Sequence, residues 1–336
     1  MTGPHGPEDA PRVEGLRWGI LGAARIARRR MLPAMRQAAR TAVVAIASRR
    51  ADAAAELAHE FAIPAVYGSY DELLADPAVD AVYNPLPNNL HAHWTIAAAR
   101  RGKHVLCEKP IAVSAAEAAA MVAACRDAGV VLQEAFMYRF HPQIDEVRRR
   151  LAAGAIGDVR LVRSAFSFRV GRPDDIRLQA ALGGGGLMDV GCYCVSISRL
   201  LLGEPAAAFA TATFERGVDV ALAGMLSFGT TTAQFDCGLL SPYRQFCEVV
   251  GTDGAIVVPR PFQPEDRPVE ITVRRGDHEE RLEIPGTNQY TLMLEHVAAC
   301  VIDGAVPRFP ADDALANMRT LDALAQSART GEPVRL

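Results

Sequence analysis

The sequence predicts an α/β protein of two domains, in which a doubly wound parallel sheet is followed by an α+β domain with a large, mostly antiparallel open sheet. Its 336 residues are enough to build two separate cores. Roughly the first 130 residues alternate short β-rich runs with alanine-rich helical runs, which is the pattern of parallel strands joined by right-handed crossovers. The second half has long runs that alternate in the manner of strands, with few helices between them.

Four segments are predicted along the chain. Residues 1–14 are rich in Gly, Pro and charged residues and are expected to be a mobile tail. Residues 15–134 are expected to form the parallel-sheet domain, and residues 135–310 the second domain. The last segment, 311–336, is expected to contribute a helix that packs back toward the first domain.

The first domain is expected to contain six strands, at 16–21, 42–48, 66–67, 81–84, 104–108 and 130–134. The helices between them are predicted at 26–39, 51–60, 70–74, 91–101 and 114–128. Pro33 must kink the first of these helices or lie in its first turn. Ser114 and Glu117 have the spacing of a capping box at the start of the last one, and Gly102 and Gly129 follow the ends of the last two.

The second domain is expected to contain eight strands, at 159–168, 209–214, 219–228, 231–237, 246–250, 255–258, 269–274 and 278–284. Turn signals such as Thr252-Asp253-Gly254 separate neighbouring strands. Helices are predicted at 143–153, 187–202 and 289–302, and a last helix at about 312–328.

Composition excludes several classes of protein. A net charge of −3 argues against nucleic-acid binding, which needs a clustered basic surplus. No apolar run approaches the length that spans a bilayer, and the N-terminus lacks a signal pattern, so we expect a cytoplasmic protein with no membrane partner. The seven cysteines do not make a disulfide scaffold, and Cys192 and Cys194 are poorly spaced for a metal, so we expect buried thiols and no metal site.

A dinucleotide fingerprint follows the first predicted strand. Gly22 allows the tight turn, and Ala24 is small enough for a pyrophosphate to approach the backbone. Ala27 lets the helix pack close to the sheet, while Arg25 and Ile26 lie at the helix start, where backbone amides bind phosphate. The alternative is a βα turn with small residues for packing alone.

The end of the second strand selects the cofactor. An acidic residue there would hold the ribose 2′-hydroxyl of NAD, but this strand ends in Ser48-Arg49-Arg50. A hydroxyl and guanidinium groups suit a 2′-phosphate, so the sequence favours NADP over NAD. The alternative is that both arginines are solvated at the start of the next helix and that Asp52 binds the ribose.

Candidate catalytic groups follow the predicted fourth and fifth strands. Lys109 lies in Glu108-Lys109-Pro110, at the carboxyl edge of the sheet, where open α/β sheets bind ligands. An ammonium beside a carboxylate can exchange a proton near a reacting carbon. The loop Pro85-Leu86-Pro87, which runs on to His91, is extended and is expected to line a nicotinamide. The alternatives are a surface Glu-Lys pair before a turn and an ordinary helix entry.

A second constellation combines four glycines, 183–186, with Asp189 and Tyr193. Glycines offer no packing and cost entropy, so they are expected where backbone passes close to a ligand. Asp189 and Tyr193 are four apart on one helix face. With Lys109 nearby they would form a proton-transfer group, in which the ammonium lowers the tyrosine pKa and Asp189 holds a substrate hydroxyl or the lysine. The alternative is a flexible loop before a core helix.

Taken together in this order, these motifs resemble the glucose–fructose oxidoreductase / inositol dehydrogenase / MocA family (Gfo/Idh/MocA). The resemblance covers nearly the whole chain and rests on the first-strand fingerprint, Pro87…His91, Lys103-His104-Val105 with Glu108-Lys109-Pro110, residues 134–142 and residues 184–193. It implies an N-terminal Rossmann domain, a C-terminal open-sheet domain, and a homodimer or homotetramer formed through that sheet.

The resemblance also implies the roles of site residues. Lys109 matches the catalytic lysine, in a bend often made by a cis-proline, and Asp189 matches the family's carboxylate. Tyr193 stands where many members have histidine, which is similar to the branch of xylose dehydrogenases, dihydrodiol dehydrogenases and sugar ketoreductases. Residues expected to contact the cofactor are Gly22, Ala24, Arg25, Ile26, Ser48, Arg49, Arg50, Pro85, Leu86, Pro87, His91, Glu108, Lys109, Pro110 and Arg139; those expected to face the substrate are Lys109, Asp189, Tyr193, His141, Arg177 and Tyr290.

The sequence therefore predicts an NADP-dependent oxidoreductase that moves a hydride between nicotinamide and a carbinol or carbonyl carbon of a sugar or sugar derivative. Three alternatives remain at this point. They are a related enzyme that retains NADP for net non-redox chemistry, a dihydrodiol dehydrogenase acting on an aromatic diol, and a dinucleotide sensor without catalysis.

Overall fold

The computed structural model describes residues 15–336, so the predicted tail at 1–14 lies outside the described residues. A six-stranded parallel sheet comes first in the chain, with strand order β3-β2-β1-β4-β5-β6. The chain leaves β1 toward one edge and returns to β4 toward the other, so the crevice of a doubly wound fold lies between the carboxyl ends of β1 and β4. In chain order β1 to β6 are Leu16–Leu21, Thr41–Ala47, Ala65–Tyr67, Ala81–Asn84, His104–Cys107 and Leu132–Glu134.

Helices cover this sheet, because its strands are apolar along most of their length. All four residues of β4 are buried, and Trp18 and Ile20 of β1 are fully buried. The covering helices α1 to α5 are Leu32–Gln37, Ala51–Phe61, Tyr70–Ala75, His91–Arg100 and Ala115–Asp127. As the capping box predicts, the Ser114 side chain accepts a hydrogen bond from the backbone N–H of Glu117.

The first predicted helix differs from expectation. Instead of one helix over 26–39, a π-helical turn, Ala27–Met31, precedes α1. Pro33 is the second residue of α1, but the residues before it are also helical, since Met31 has φ of −73° and ψ of −49°. The structure therefore places Pro33 inside a continuous helical run, 25–37, whose first part has the wider π-helical hydrogen-bond pattern.

The second sheet has nine strands, in the order β14-β13-β12-β11-β7-β10-β9-β8-β15. Neighbours are antiparallel except β7 and β10, which are parallel. Strands β7 to β15 are Val159–Arg169, Ala207–Glu215, Val218–Phe228, Thr231–Gly238, Leu240–Gly251, Ala255–Val258, Val269–Arg275, His278–Ile284 and Val334–Arg335. Eight of them correspond to predicted strands; the short β15 was not predicted.

Four helices belong to the second half of the chain. They are α6 to α9, which span Pro142–Ala152, Cys192–Leu202, Gln289–Ile302 and Ala311–Thr330. A π-helical turn, Leu187–Gly191, leads directly into α7, so the predicted helix 187–202 is continuous but changes its hydrogen-bond pattern.

The last helix, α9, contacts α5, which covers the first sheet, and β8 of the second sheet. Asp322 accepts a hydrogen bond from the backbone N–H of Ala115 at the start of α5, at 2.8 Å. Five residues further along α9, the Ser327 hydroxyl accepts from the backbone N–H of Ala210 in β8, at 3.0 Å. After α9, β15 pairs with β8. Residues 311–335 thus connect α5, which covers the first sheet, to β8 of the second sheet.

Several expectations from composition can be compared with the structure. All seven cysteines are buried and unpaired. No group of three or more His, Cys, Asp or Glu side chains within 15–336 is arranged to hold a metal ion. Within the same residues one helical stretch, Ala180–Leu202, has the length and mean hydropathy of a membrane span, contrary to the expectation that no apolar run approaches that length. Since 61% of the apolar segment in this stretch is buried inside the fold, it has the character of a core helix.

Candidate active site

A cavity of about 460 Å³ lies at the carboxyl edge of the first sheet, between that edge and the second sheet. The ends of β1, β4 and β5 supply one wall, and β7, β11 and the turn before α7 supply the other. Ten of the predicted site residues line it: Arg25, Ile26, Pro85, Leu86, Glu108, Lys109, Arg177, Asp189, Tyr193 and Tyr290. Side chains predicted from distant parts of the sequence therefore meet in one cavity.

Lys109 and Asp189 form an ion pair in this cavity, and each side chain is only 14% exposed. The Lys109 ammonium donates to the backbone oxygen of Asp189 at 2.8 Å and to its Oδ1 at 3.1 Å. Burial pulls the pKa of Lys109 down, but the Asp189 carboxylate opposes burial and raises it overall. The lysine follows β5 in a bend in which the Lys109-Pro110 peptide bond is cis.

Asp189 has a second cationic partner. Arg177 Nε donates to Asp189 Oδ2 at 2.7 Å, and the same guanidinium bonds Asp175 at 3.1 Å. Burial would raise the pKa of Asp189, yet Lys109 and Arg177 together hold it below its ordinary value. The carboxylate is thus ionised and oriented by two cations.

Tyr193 lies in a cluster of aromatic rings. Phe136, Phe166 and Phe262 surround it with ring centroids 5.2 to 5.4 Å away. Its hydroxyl donates to Met137 Sδ at 3.5 Å, and a thioether is a weak acceptor. The ring is therefore held by packing, while its hydroxyl has no strong partner among the described residues.

The expectation that the Lys109 ammonium lowers the pKa of Tyr193 is wrong for this structure. The ammonium lies 5.0 Å from the centre of the Tyr193 ring, over its face, and bonds Asp189 instead of the phenol oxygen. Burial raises the pKa of Tyr193 well above its usual value. Tyr193 is consequently a protonated phenol at neutral pH.

Glu108 is anchored from inside the sheet. The hydroxyl of Tyr83, on β4, donates to Glu108 Oε1 at 2.6 Å. Burial raises the pKa of Glu108, and the neighbouring Lys109 ammonium works against that rise. The Glu108 side chain thus lines the cavity from a fixed position.

Three predicted site residues are buried away from the cavity lining. Arg139 pairs with Asp313 of α9 and donates to the Ser196 hydroxyl at 3.0 Å, and it is 3% exposed. His141 accepts a hydrogen bond from the backbone N–H of Gln143 and so caps α6, and burial lowers its pKa to about 4. The structure thus places Arg139 and His141 in positions that helix packing and capping explain.

His91 is the third, and it connects two loops of the site. One ring nitrogen lies 2.9 Å from the Pro110 oxygen and the other 2.8 Å from the Leu86 oxygen. Burial lowers the His91 pKa to about 4, although both carbonyls favour the charged ring. His91 therefore holds the loop after β4 against the bend that carries Lys109.

The glycine run packs against protein. A Cβ at Gly184 would lie 2.4 Å from the Arg177 backbone oxygen, and one at Gly185 would lie 2.3 Å from Asp219 Oδ1. Gly185 also has φ of +127°, which side chains rarely adopt. Gly184 and Gly185 also line the cavity, so the backbone at these two positions passes beside the candidate ligand site, and close protein neighbours, the 177 backbone and the Asp219 carboxylate, fill the space that a side chain would need.

Sequence reasoning missed several residues of the cavity wall. Phe166 and Phe168 lie two apart on β7 and both face the cavity, together with Tyr243 of β11. The period-2 placement of two aromatic residues is a signal that the sequence contained. Met137, Asn88 and Gln263 also line the wall, and no sequence pattern marks them.

The remaining predicted residues lie around the carboxyl edge of the same sheet but outside this lining: Gly22, Ala24, Ser48, Arg49, Arg50, Pro87 and Pro110. Their surroundings fit a bound dinucleotide. Gly22 has φ of +90°, and a Cβ there would lie 2.9 Å from Leu86 Cδ2 and 3.5 Å from the Tyr70 hydroxyl. Burial raises the Tyr70 pKa, and the Arg49 guanidinium opposes it, which places Arg49 beside that turn.

Comparison with known proteins gives a consistent result. Residues 16–136 match the sequence model described as the GFO/IDH/MocA oxidoreductase family, NAD-binding Rossmann fold, and residues 144–257 match the GFO/IDH/MocA C-terminal domain. The two matched segments include β1 to β6 and most of the second sheet's central strands.

Individual relatives match along nearly the whole chain. D-xylose 1-dehydrogenase (NADP(+)) 2 from Haloferax volcanii is 44% identical, covering 95% of this chain and 99% of the relative. A trans-1,2-dihydrobenzene-1,2-diol dehydrogenase from Xenopus tropicalis is 32% identical, covering 86% and 90%. The crystal structure of a 3-ketoreductase from Actinomadura kijaniata, in complex with NADP and TDP-benzene, matches with a TM-score of 0.89 at 35% identity, covering 93% of this chain and 98% of the ketoreductase.

Proposed function

Since this chain belongs to the Gfo/Idh/MocA oxidoreductase family, we propose that it is an NADP-dependent enzyme that interconverts a carbinol and a carbonyl group on a sugar or sugar derivative. Membership makes it an NAD(P)-dependent dehydrogenase or reductase acting on CH–OH groups.

One observation carries the proposal, namely the way in which Lys109 is bound. An ammonium has three donors, and two of them go to the backbone oxygen and Oδ1 of Asp189. Because Lys109 lines the cavity, its third donor is available to a substrate oxygen. A fixed, charged donor aimed at an oxygen that gains negative charge stabilises the transition state of carbonyl reduction.

Tyr193 supplies the second function. Its phenol is protonated at neutral pH and, within residues 15–336, bonds only a thioether, so the proton is available to an oxygen bound beside Lys109. Asp189 keeps the ammonium in place and, with Arg177, offers acceptors and donors to neighbouring hydroxyls. NADPH, when bound, supplies the hydride, and NADP⁺ accepts it in the reverse direction.

The cofactor site supports NADP. Gly22 lies at the turn after β1, while Ser48 follows β2, where a ribose 2′-substituent is recognised in this fold. The Ser48 hydroxyl accepts from the Arg50 backbone N–H at 3.2 Å, and the Arg49 and Arg50 side chains are exposed at the same edge. The named relatives that use NADP support the same assignment.

Arg49→Ala and Arg50→Ala are expected to raise the KM for NADPH while leaving the KM for NADH unchanged. A hydrogen bond to a charged group contributes about 1.5–3 kcal/mol, so each lost phosphate contact corresponds to roughly a ten- to hundredfold change. Steady-state kinetics with both cofactors measure this. Asp52→Ala is the matched control: it leaves both constants unchanged if Asp52 does not bind the ribose, and a selective loss of NADH affinity in that variant would contradict the assignment.

A substrate panel of aldoses, ketoses and diols, read by the absorbance of NADPH, tests the function as a whole. We expect turnover of at least one sugar or sugar ketone. The result that would contradict the proposal is NADPH binding without oxidation or reduction of any member, or product formation with no net change in cofactor absorbance.

An aromatic diol is a second candidate substrate class. Aromatic residues make up only 6% of the chain, yet Phe166, Phe168, Tyr243 and Tyr290 all line this one cavity. A relative named as a dihydrodiol dehydrogenase adds support. In the panel above, a higher kcat/KM for a cyclohexadiene diol than for any aldose would favour this class.

The second sheet supports the proposal of a homodimer or homotetramer. Met225 of β9 and Phe214 of β8 are 42% and 44% exposed, which leaves apolar side chains uncovered on this sheet. Light scattering coupled to size exclusion is expected to give a mass of two or four chains, and Met225→Lys is expected to lower it. A monomeric wild-type protein at micromolar concentration would contradict an assembly through this sheet.

A further inference from the structure

We propose that Asp219, a residue of the second sheet, is a positioning residue that fixes the helical start on which Asp189 and Tyr193 are carried. The inference rests on the function proposed above for its activity measurement. Asp219 belongs to β9, far in sequence from the glycine run and from Lys109. It does not line the cavity, so its effect must be transmitted through the helix start.

The contact itself is short and specific. Asp219 Oδ2 accepts a hydrogen bond from the backbone N–H of Leu187 at 2.6 Å. This helical start has Gly186 at its N-cap position, and glycine has no side chain with which to bond the free N–H groups of a first turn. A carboxylate from a different element therefore supplies the cap.

The glycines and the carboxylate fit each other. A Cβ at Gly185 would lie 2.3 Å from Asp219 Oδ1, and a Cβ at Gly186 would lie 3.1 Å from Oδ2. The space that a side chain would fill is occupied by the carboxylate. This explains two of the four glycines by the approach of Asp219, and it makes Asp219 and the glycine run one structural unit.

The carboxylate is in its charged form at neutral pH. Burial raises the Asp219 pKa to about 6, while the backbone N–H groups of Leu187 and Gly186 and the more distant Arg329 oppose this rise. A charged acceptor bonds a backbone N–H more strongly than a neutral one and is favoured by the positive end of the helix.

The Asp219 cap fixes the turn that carries Asp189, the residue that binds the Lys109 ammonium. Asp189 lies two residues beyond Leu187, and its backbone N–H bonds the Gly185 oxygen at 3.0 Å. Its own backbone oxygen and carboxylate bind the Lys109 ammonium. A shift of residues 185–189 would consequently move the ammonium and the carboxylate together, and displacements of about 1 Å can cost a hundredfold in rate.

Asp219→Ala is expected to lower kcat by about ten- to hundredfold, with the affinity for NADPH unchanged because Gly22 and Ser48 directly follow strands of the first sheet, whereas Asp219 belongs to the second. Asp219→Asn keeps a carbonyl oxygen for the Leu187 N–H and is expected to restore most of kcat. Amide hydrogen exchange of a peptide covering residues 186–193 is expected to rise in the alanine variant and to recover in the asparagine variant. Asp236→Ala is the matched control, since Asp236 lies on the adjacent strand β10 and pairs with Arg244 at the surface.

A substitution in the glycine run tests the contact between that run and Asp219. Gly186→Ala places a methyl group against the carboxylate and is expected to lower kcat in the wild-type background. In the Asp219→Ala background the obstacle is gone, so the same substitution is expected to cost much less. Full additivity of the two effects would contradict a direct contact between them.

The proposal is overturned if folded Asp219→Ala has the kcat and the helix exchange of the wild type, or if kcat falls only in proportion to the folded fraction. It is also overturned if Asp236→Ala loses as much activity as Asp219→Ala. A wild-type protein that reduces no carbonyl substrate would end the proposed function, but hydrogen exchange would still decide whether Asp219 fixes this helix.

Discussion

Replacing Lys109 with methionine is expected to lower kcat by about a hundred- to ten-thousandfold, the range typical for losing a group that exchanges or stabilises a proton at the reacting atom. Methionine is unbranched and only one heavy atom shorter than lysine, but its side chain has no hydrogen-bond donor. In this variant the ion pair with Arg177 is the only one that Asp189 keeps within residues 15–336. Single-turnover oxidation of bound NADPH measures the loss, and NADPH titration by fluorescence is expected to show near wild-type affinity.

The chain offers an unusually clean control for this variant. Of its 36 Lys and Arg residues only two are lysines, Lys103 and Lys109, one on each side of β5. Lys103 is 9% exposed and donates to the backbone oxygens of Asp76 and Val79, at the opposite edge of the sheet. Lys103→Met is expected to cost stability and to leave kcat per folded molecule unchanged.

Lys109→Arg separates charge from geometry. A guanidinium keeps the positive charge but is planar and bulkier, so it is expected to restore binding to Asp189 without restoring most of kcat. Turnover by Lys109→Met within tenfold of the wild type would rule out an essential role for the ammonium.

The second large effect is expected for Tyr193→Phe, with a loss in kcat of about a hundredfold or more, because the variant keeps the packed ring and removes only the phenol proton. Tyr138→Phe is the matched control. Tyr138 lies in the same aromatic cluster, and its ring centroid is 5.8 Å from that of Tyr193. Its hydroxyl forms a 2.6 Å hydrogen bond with the Ser196 hydroxyl, and Tyr138 does not line the cavity. The control variant is expected to keep near wild-type kcat.

The direction of the pKa shift gives a further signature of Tyr193. Burial keeps the phenol protonated throughout the neutral range. Carbonyl reduction, which consumes that proton, is therefore expected to be flat in pH over roughly 6 to 9, and alcohol oxidation, which needs the phenolate, is expected to rise with pH. An unchanged profile and rate in Tyr193→Phe would exclude the phenol as the proton donor.

The first domain could be predicted from the sequence because each of its elements is specified locally. Ser114 with Glu117 marks a helix start, and Gly22 after an apolar run marks the nucleotide turn. Parallel strands also bring their ends to one edge, so Lys109 could be placed beside the cofactor turn from topology alone. The juxtaposition of Lys109 with Asp189 was proposed from the chemistry of the side chains and then from the resemblance, since no local rule joins residues 80 positions apart.

What could not be predicted depends on the second sheet. Its strands were recognisable, but the order in which they pair, including the parallel pair of β7 and β10, decides that Phe166 and Tyr243 face the cavity. Asp219 is a lone acid between two valines, a pattern with no functional signature. Arg139 is the reverse case, because a family motif suggested a ligand contact where the structure has a buried ion pair with Asp313.

The final helix has a consequence for biosynthesis. Strands β1 to β6 emerge from the ribosome long before α9, and domains generally fold as they are completed. The flank of α5 that bonds Asp322, and the β8 backbone that bonds Ser327, then remain open to water until α9 has been synthesised. Until that point a nascent chain of this protein carries an uncovered strip on α5 and on β8, and α9 closes both.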